Sequence, residues 1–282
     1  MVTRITNKLN RLGRQLPEGL LVDSAWLSAA GYSSSLRAKY VVAGWLEQPA
    51  RRVYRRPRGQ LSWQQVVTSL QTLLGYALVV GGRTALELQG YTHYLSEGVS
   101  EIHLHGPAKP PSWVVTLPLD ERFIYHNSKP LFGNDIANVA FPPLVAGVPP
   151  QDHTDRFSQD VGLRTLPWGQ WNWPLTVAAP ERAVLELFDE LPDHESFHQA
   201  DMLMEGLSDL APHRLQALLT RCRSVKVKRL FFFFADRHQH AWLKHIDRTT
   251  IALGSGKRML VKEGRLDQTY QITVPKDLDE VR

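Results

Sequence analysis

With one cysteine in 282 residues, Cys222, the chain has no second thiol with which to close an intrachain disulfide or build a thiolate zinc cluster. That residue is expected to be a buried structural thiol. The sequence also lacks any run of about 18 apolar residues of the kind that spans a bilayer. Its first residues alternate charged and apolar groups without the apolar stretch of an export signal, so a cytoplasmic protein without a membrane partner is expected. No nucleophile elbow, kinase signature or dinucleotide fingerprint occurs, which leaves an enzyme without recognisable machinery. What is present is an ordinary globular composition, 43% hydrophobic and 22% charged, in a length suited to two domains.

Charge is unevenly spread. From Met1 to Ser62 there are eleven Lys or Arg against Glu18, Asp23 and Glu47, a net +8, while the remainder carries 22 basic against 25 acidic groups, a net −3. A small domain with so concentrated a positive field suits an acidic polymer, because displaced phosphate counterions drive association with nucleic acid.

The local pattern there predicts a winged helix-turn-helix over residues 1–60. Ile5, Leu9 and Leu12 recur at helical spacing in a first helix ending before Pro17. Ser24 is placed to cap a second helix through Trp26, Leu27 and Ala30, stopped by Gly31. Ser33, Ser34 and Ser35 open a third helix running through Leu36, Tyr40, Val41 and Trp45, with Arg37 and Lys39 expected to point outward. Short hydroxyl side chains at such an opening cap free amides and can approach phosphates or base edges. Leu46 and Val53 with Tyr54 are expected in two short strands around a turn at Gln48 to Arg51, forming a wing. Arg51, Arg52, Arg55, Arg56 and Arg58 crowd this wing, a density that points to phosphate contact with double-stranded DNA, Tyr54 among them. Trp26, Tyr32 and Trp45 are expected in the core.

Residues 61–282 are expected to form a larger mixed α/β domain, giving an α+β chain overall. A helix from Ser62 to Leu74 leads to a strand at Tyr76 to Val80, then Gly81-Gly82-Arg83 and a helix, then a strand from Glu101 to His105. Another strand is expected at Ser112 to Leu117. Two glycines between a strand and a helix either present helix-terminal amides to a nucleotide or other anion, or serve close packing. The order of elements is similar to that of nucleotidyltransferase folds, in which the second strand bears paired metal-binding aspartates. Glu101 and His103 stand at those places and are a poor substitute for them, so a degenerate scaffold is expected, without metal or cofactor. The alternative is a nucleotide-binding or nucleotidyl-transferring enzyme centred on Gly81, Gly82, Arg83, Glu101 and His103.

Further on, helices are expected from Glu181 to Leu191, after Pro192, and over Pro212 to Cys222. Phe231 to Phe234 read as a buried strand, and IALGSGKRMLV and YQITVP as two final β elements. His194-Glu195-Ser196-Phe197-His198 formally matches a zinc-protease pattern. It opens a helix whose cap is expected at Asp193, and surface histidines are the simpler account. LGSGKR lacks the first glycine and the hydroxyl residue of a phosphate loop. His238, His240 and His245 share no helical face that would hold a metal.

Taken together, GWLEQPARRVYRRP, GGRTALELQGYTHYL, HQADMLMEGL with SVKVKRLFFFFADRH, and LGSGKR with YQITVP resemble the AbiEi family of antitoxins. The resemblance implies a type IV toxin-antitoxin system in which the N-terminal winged helix represses its own operon at promoter repeats. It also implies that the C-terminal domain neutralises a nucleotidyltransferase-like toxin without a stable complex. Pro49-Ala50-Arg51-Arg52 departs from the glycine-containing wing turn often seen in the family.

Overall fold

A computed structural model describes residues 2–91, 100–144 and 161–279; the end of the GGRTALELQGYTHYL segment lies outside them. The chain is a mixed α+β structure. It begins α1 (Val2–Gln15), β1 (Leu21–Asp23), α2 (Ser24–Ala29), α3 (Ser34–Val42), β2 (Glu47–Ala50) and β3 (Val53–Arg55). The three strands form an antiparallel sheet in the order β1-β3-β2. Asp23, rather than Ser24, caps α2 by accepting from the Trp26 amide at 2.8 Å. Gly31 at φ +87° ends that helix in a conformation L side chains avoid, and Ser33 caps α3 by accepting from the Leu36 amide at 3.3 Å.

Leu12, Leu16, Leu20, Val22, Leu27, Tyr32, Tyr40 and Leu46 close the core between these elements. The Tyr32 hydroxyl donates to the Lys8 carbonyl at 3.1 Å, tying the turn to α1. Trp26 is half-buried. Trp45 is not in the core as expected: α3 stops at Val42, the chain turns through Gly44, and the Trp45 ring is 53% exposed. The turn between β2 and β3 also sits later than expected, at Arg51-Arg52, with Arg52 in the left-handed region at φ +64°. Pro49 falls within edge strand β2, where its missing amide costs no ladder bond.

A capping box at Ser62 and Gln65 starts α4 (Trp63–Thr72). One face of α4 joins Leu21 and Val53 to Val66, Leu70, Leu78, Val114 and Leu117, so a single apolar cluster crosses residue 60. Beyond it come β4 (Val79–Val80), α5 (Gly82–Leu88), β5 (Glu101–Gly106), β6 (Arg122–Asn127), α6 (Lys129–Phe132), β7 (Leu163–Trp168) and β8 (Trp173–Ala178). The strands form a mixed sheet in the order β6-β5-β4-β8-β7, with β5-β6 and β4-β8 parallel. The Gln71 amide on α4 spans β4 and β8, donating to the Leu78 and Thr176 carbonyls at 2.9 Å each and accepting from the Thr176 amide at 3.0 Å. The expected strand from Tyr76 shrinks to two residues. The one expected at Ser112 to Leu117 is instead a 3₁₀ turn over Ser112–Thr116, framed by Pro111 and Pro118, which donate nothing to a ladder.

A helical layer follows: α7 (Pro180–Asp189), α8 (Phe197–Gly206), α9 (Pro212–Arg221) and α10 (Val225–His238), then a hairpin of β9 (Arg265–Asp267) and β10 (Ile272–Val274). The Phe231 to Phe234 run belongs to α10, not to a strand. All four rings are buried because α10 packs against both α7 and α8, with Phe234 stacked 5.1 Å from Phe188. A helix enclosed on several sides needs apolar residues all round. IALGSGKRMLV forms no strand beyond a bridge from Arg258 to Ile272. Ser196, not Asp193, caps α8, so His194 precedes the helix and cannot share a helical face with His198. Cys222 is buried, which pushes its thiol up to about 11. No helix among the described residues is long and apolar enough to cross a membrane.

Candidate nucleic-acid interface and buried polar centre

With Tyr40 facing the core, successive steps of about 100° send Ser35, Ala38 and Val42 to the opposite side of α3, flanked by Ser34 and Lys39. All five are exposed. Arg37 is not, contrary to expectation. It lies close in angle to Tyr40, and its guanidinium donates to the Ser24 carbonyl at 2.6 Å and to the Ser28 hydroxyl at 3.0 Å while lying 5.7 Å from the Tyr54 ring. Arg37 therefore fixes the angle between α2 and α3 and half-covers Tyr54. Ser33 is committed to the cap, with its hydroxyl 3.1 Å from that of Ser35.

The five hairpin arginines divide into two groups. Arg51 and Arg52 occupy the turn and are exposed. The Arg52 carbonyl accepts from the Ser24 amide at 2.8 Å, which anchors the turn beside the start of α2. The other three are turned onto the protein. Arg55 is buried, pairing with Glu47 at 2.6 Å and donating to the Gly59 carbonyl at 2.6 Å. Arg56 reaches Glu18 at 2.9 Å and the Gly13 and Leu16 carbonyls at 3.2 Å, stitching β3 to the end of α1. Arg58 lies 3.7 Å from Glu18 and 5.4 Å from the Trp171 ring. In sequence the three resemble the exposed pair. Only the partners at Glu18, Glu47 and the helix-end carbonyls separate them.

The Gly81-Gly82 pair binds an anion, but an internal one. The Gly82 amide donates to Glu186 Oε2 at 3.1 Å. A side chain at Gly81 would place Cβ 2.1 Å from that same oxygen and 2.4 Å from the His105 ring, so the position needs glycine for close approach. Arg83 faces three carboxylates: Glu195 at 3.2 Å, Glu101 at 3.7 Å and Glu87 at 3.9 Å. Glu101 also pairs with Arg122, whose hydrogen bond holds its carboxyl below the usual range.

Around this turn the sheet assembles a buried polar centre. Alternation along β5 puts His103 and His105 on one face, and the parallel register of β6 sets His126 beside His105. His126 stacks on both rings, with centroids 5.0 Å from His103 and 4.7 Å from His105. His126 Nδ1 contacts Glu190 at 2.7 Å, and its Nε2 lies 2.9 Å from His103 Nδ1. The direction of each bond along the Glu190–His126–His103 chain follows the tautomers of the two rings. His103 Nε2 lies 3.8 Å from Glu195 Oε1, and neither atom has a hydrogen-bond partner among the described residues.

Burial pushes His103 down to about 3, with His126 and Arg83 acting in the same direction, and pushes His105 well below its ordinary value. Burial raises Glu195 to about 7 against the opposing pull of Arg83. For Glu190, burial raises the carboxyl but is outweighed by the His126 hydrogen bond together with the fields of His126, His105 and His194, and the net direction is down. Among the described residues no group of three or more His, Cys, Asp or Glu side chains is arranged to hold a metal ion.

Residues 5–97 match the family model described as transcriptional regulator, AbiEi antitoxin N-terminal domain. Residues 150–275 match the model described as transcriptional regulator, AbiEi antitoxin, type IV TA system. Comparison with curated proteins gives no match. Among solved structures, the crystal structure of the RV2827C protein from Mycobacterium tuberculosis is similar, with a TM-score of 0.53 and 16% identity over 96% of this chain and 90% of that one. At that identity the likeness is one of fold.

Proposed function

The chain belongs to the AbiEi antitoxin family of type IV toxin-antitoxin transcriptional regulators, and on that basis we propose that α1 to β3 form a winged helix-turn-helix that binds inverted repeats in its own promoter and represses it. The observation that carries this reading is the division of the cations. Of the cations on α3 and the hairpin, Arg37, Arg55, Arg56 and Arg58 are spent on holding the scaffold, while Lys39 on α3 and Arg51 and Arg52 at the hairpin turn are exposed. In this arrangement α3 enters the major groove and the β2-β3 turn grips the flanking phosphates.

The test is a mobility shift on the duplex upstream of the gene against a shuffled duplex of equal length. Preference for the upstream DNA is expected, and equal affinity would sink the proposal. Replacing Arg51 and Arg52 together by alanine should weaken binding to both duplexes alike and reduce the slope of log K against log salt by about 2, one unit per lost phosphate contact. Arg55→Ala should instead act through stability, lowering the free energy of unfolding by roughly 1 kcal/mol, because its hydrogen bonds are lost while Glu47 and Gly59, both exposed, return to water.

The second domain is proposed to neutralise the toxin, a nucleotidyltransferase-like protein, without a stable complex and without nucleotidyl transfer of its own. In support, Glu186 already occupies the Gly82 amide, and Arg83 is balanced by Glu87, Glu101 and Glu195. Calorimetric titration with nucleoside triphosphates and magnesium should give no binding heat. Saturable heat that Arg83→Ala abolishes would instead favour a nucleotide site at the glycine turn.

A further inference from the structure

Resting on the DNA-binding reading above, we propose that Val42 is a specificity residue that reads the 5-methyl group of a thymine in the major groove, with Ala38 one turn earlier as the short side chain that lets α3 seat closely.

Val42 is 90% exposed. A β-branched residue in a helix restricts its own rotamers and lowers helix propensity relative to alanine. With nine-tenths of its surface in water, Val42 recovers none of that loss through packing in this chain. Its direction is also defined. Stepping 100° per residue from Tyr40 places Val42 and Ala38 within about 30° of the line opposite the core, and Ser35 on the same side. The centre of the outward face is thus apolar and small, and its edges are polar, with Ser34 on one flank and Lys39 on the other. Arg51 and Arg52 are exposed at the hairpin turn. Neither α2 nor α3 contains a carboxylate.

That combination selects its occupant. An apolar protein partner would be met by a wider apolar field. Here Val42 has the short Ala38 and the cation Lys39 one turn back on a helix without carboxylates, and the half-exposed Trp45 ring follows beyond the helix end, which suits a polyanion that offers single apolar points between hydrogen-bonding edges. In duplex DNA the thymine 5-methyl is the apolar group on the major-groove edge, and small aliphatic side chains are its usual complement.

The experiment compares the upstream duplex made with thymine and the same sequence made with uracil, which removes only the methyl groups. Wild-type protein should bind the thymine form about fourfold more tightly, the factor expected for taking one methyl group out of water. For Val42→Ala the ratio should fall to about one, and the variant should melt at or slightly above the wild type, because the side chain touches almost nothing and alanine favours the helix. Arg51→Ala should lose affinity for both forms and keep the fourfold ratio. Equal binding of thymine and uracil duplexes by the wild type would overturn the proposal and assign Val42 to a protein contact. So would a ratio unchanged in Val42→Ala. Failure to prefer upstream over shuffled DNA would overturn the DNA reading itself, and this inference with it.

Discussion

Replacing Arg182 by methionine should destabilise the fold by about 3–5 kcal/mol, the range measured when one partner is removed from a buried charge cluster. Arg182 sits on α7 with no surface in water, and its guanidinium serves four contacts at once. Nε meets Glu186 Oε1 at 2.7 Å, Nη1 meets Asp135 Oδ2 at 2.6 Å and the Val161 carbonyl at 2.8 Å, and the plane lies 4.5 Å from the Phe132 ring. One cation thereby compensates two carboxylates that are themselves buried. Methionine fills much of the stem's volume but donates nothing, so Asp135 and Glu186 would be left facing each other's field in a medium that solvates neither. Burial already pushes the Glu186 carboxyl up, and Arg182 is the largest influence opposing it. Without Arg182 that carboxyl should take up a proton at higher pH, so the loss of stability should be larger at pH 8 than at pH 6. Urea denaturation at the two pH values measures both effects. A loss below about 1 kcal/mol at either would mean that the cluster relaxes into water and that the guanidinium is not what holds it.

The contrast between Arg182 and the hairpin arginines shows where reading the sequence succeeds and where it stops. Element type was legible wherever a local physical rule acts alone. The helix start at Ser62, the serine opening of α3, the glycine stop at Gly31 and the glycine turn before α5 are all present. The alternation of β5 was legible for the same reason. What failed depended on partners far away in sequence. Nothing near Arg37 announces Ser24, Ser28 and Tyr54 as its neighbours, although its three-residue spacing from Tyr40 was a signal that it shares the inward face. Arg55 and Arg56 find Glu47, Glu18 and the end of α1 only once β3 is paired. The Phe231 to Phe234 run has no period because α10 is enclosed on several sides, and a fully buried helix is as featureless as a buried strand.

The polar centre was half visible. His103 and His105 fall on one face by alternation, but His126 arrives from β6, a strand the sequence did not announce. The carboxylates come from α7, its end and the loop before α8. Glu195 was noticed only as part of a zinc-like pattern. In the fold its carboxylate faces Arg83 and His103, while His194 lies edge-on to His126 with ring centroids 6.2 Å apart. The glycine pair was read correctly as a close-approach turn in one of its two alternatives, since the anion it holds is the protein's own Glu186.

Glu195→Gln should make stability less sensitive to alkaline pH, and the size of the effect follows from the carboxyl's position. Burial is the largest cause raising Glu195 to about 7, Arg83 opposes it, and Glu87, Glu190 and Glu101 add to it. A carboxyl raised in the fold contributes stability that is complete below its ordinary value of 4.5 and is lost as pH rises through 7. Each pH unit between 4.5 and about 7 is worth about 1.36 kcal/mol, so most of about 3 kcal/mol is gone by pH 8. The histidines act in the other direction. His103, lowered to about 3 by burial, contributes stability that is complete above its ordinary 6.5 and is lost as pH falls toward 3. Between 4.5 and 6.5 the Glu195 trend cancels that of His103 and leaves that of His105, so the pH profile of the wild type alone would not isolate Glu195. Glutamine keeps the shape of the protonated carboxyl and has no proton to lose, which removes the first trend and leaves the second. Relative to wild type, the variant should therefore gain about 2–3 kcal/mol between pH 5 and pH 8 in denaturant titrations. A difference that stays flat across that interval would show that Glu195 ionises in the fold as readily as in water, with Arg83 at 3.2 Å outweighing burial.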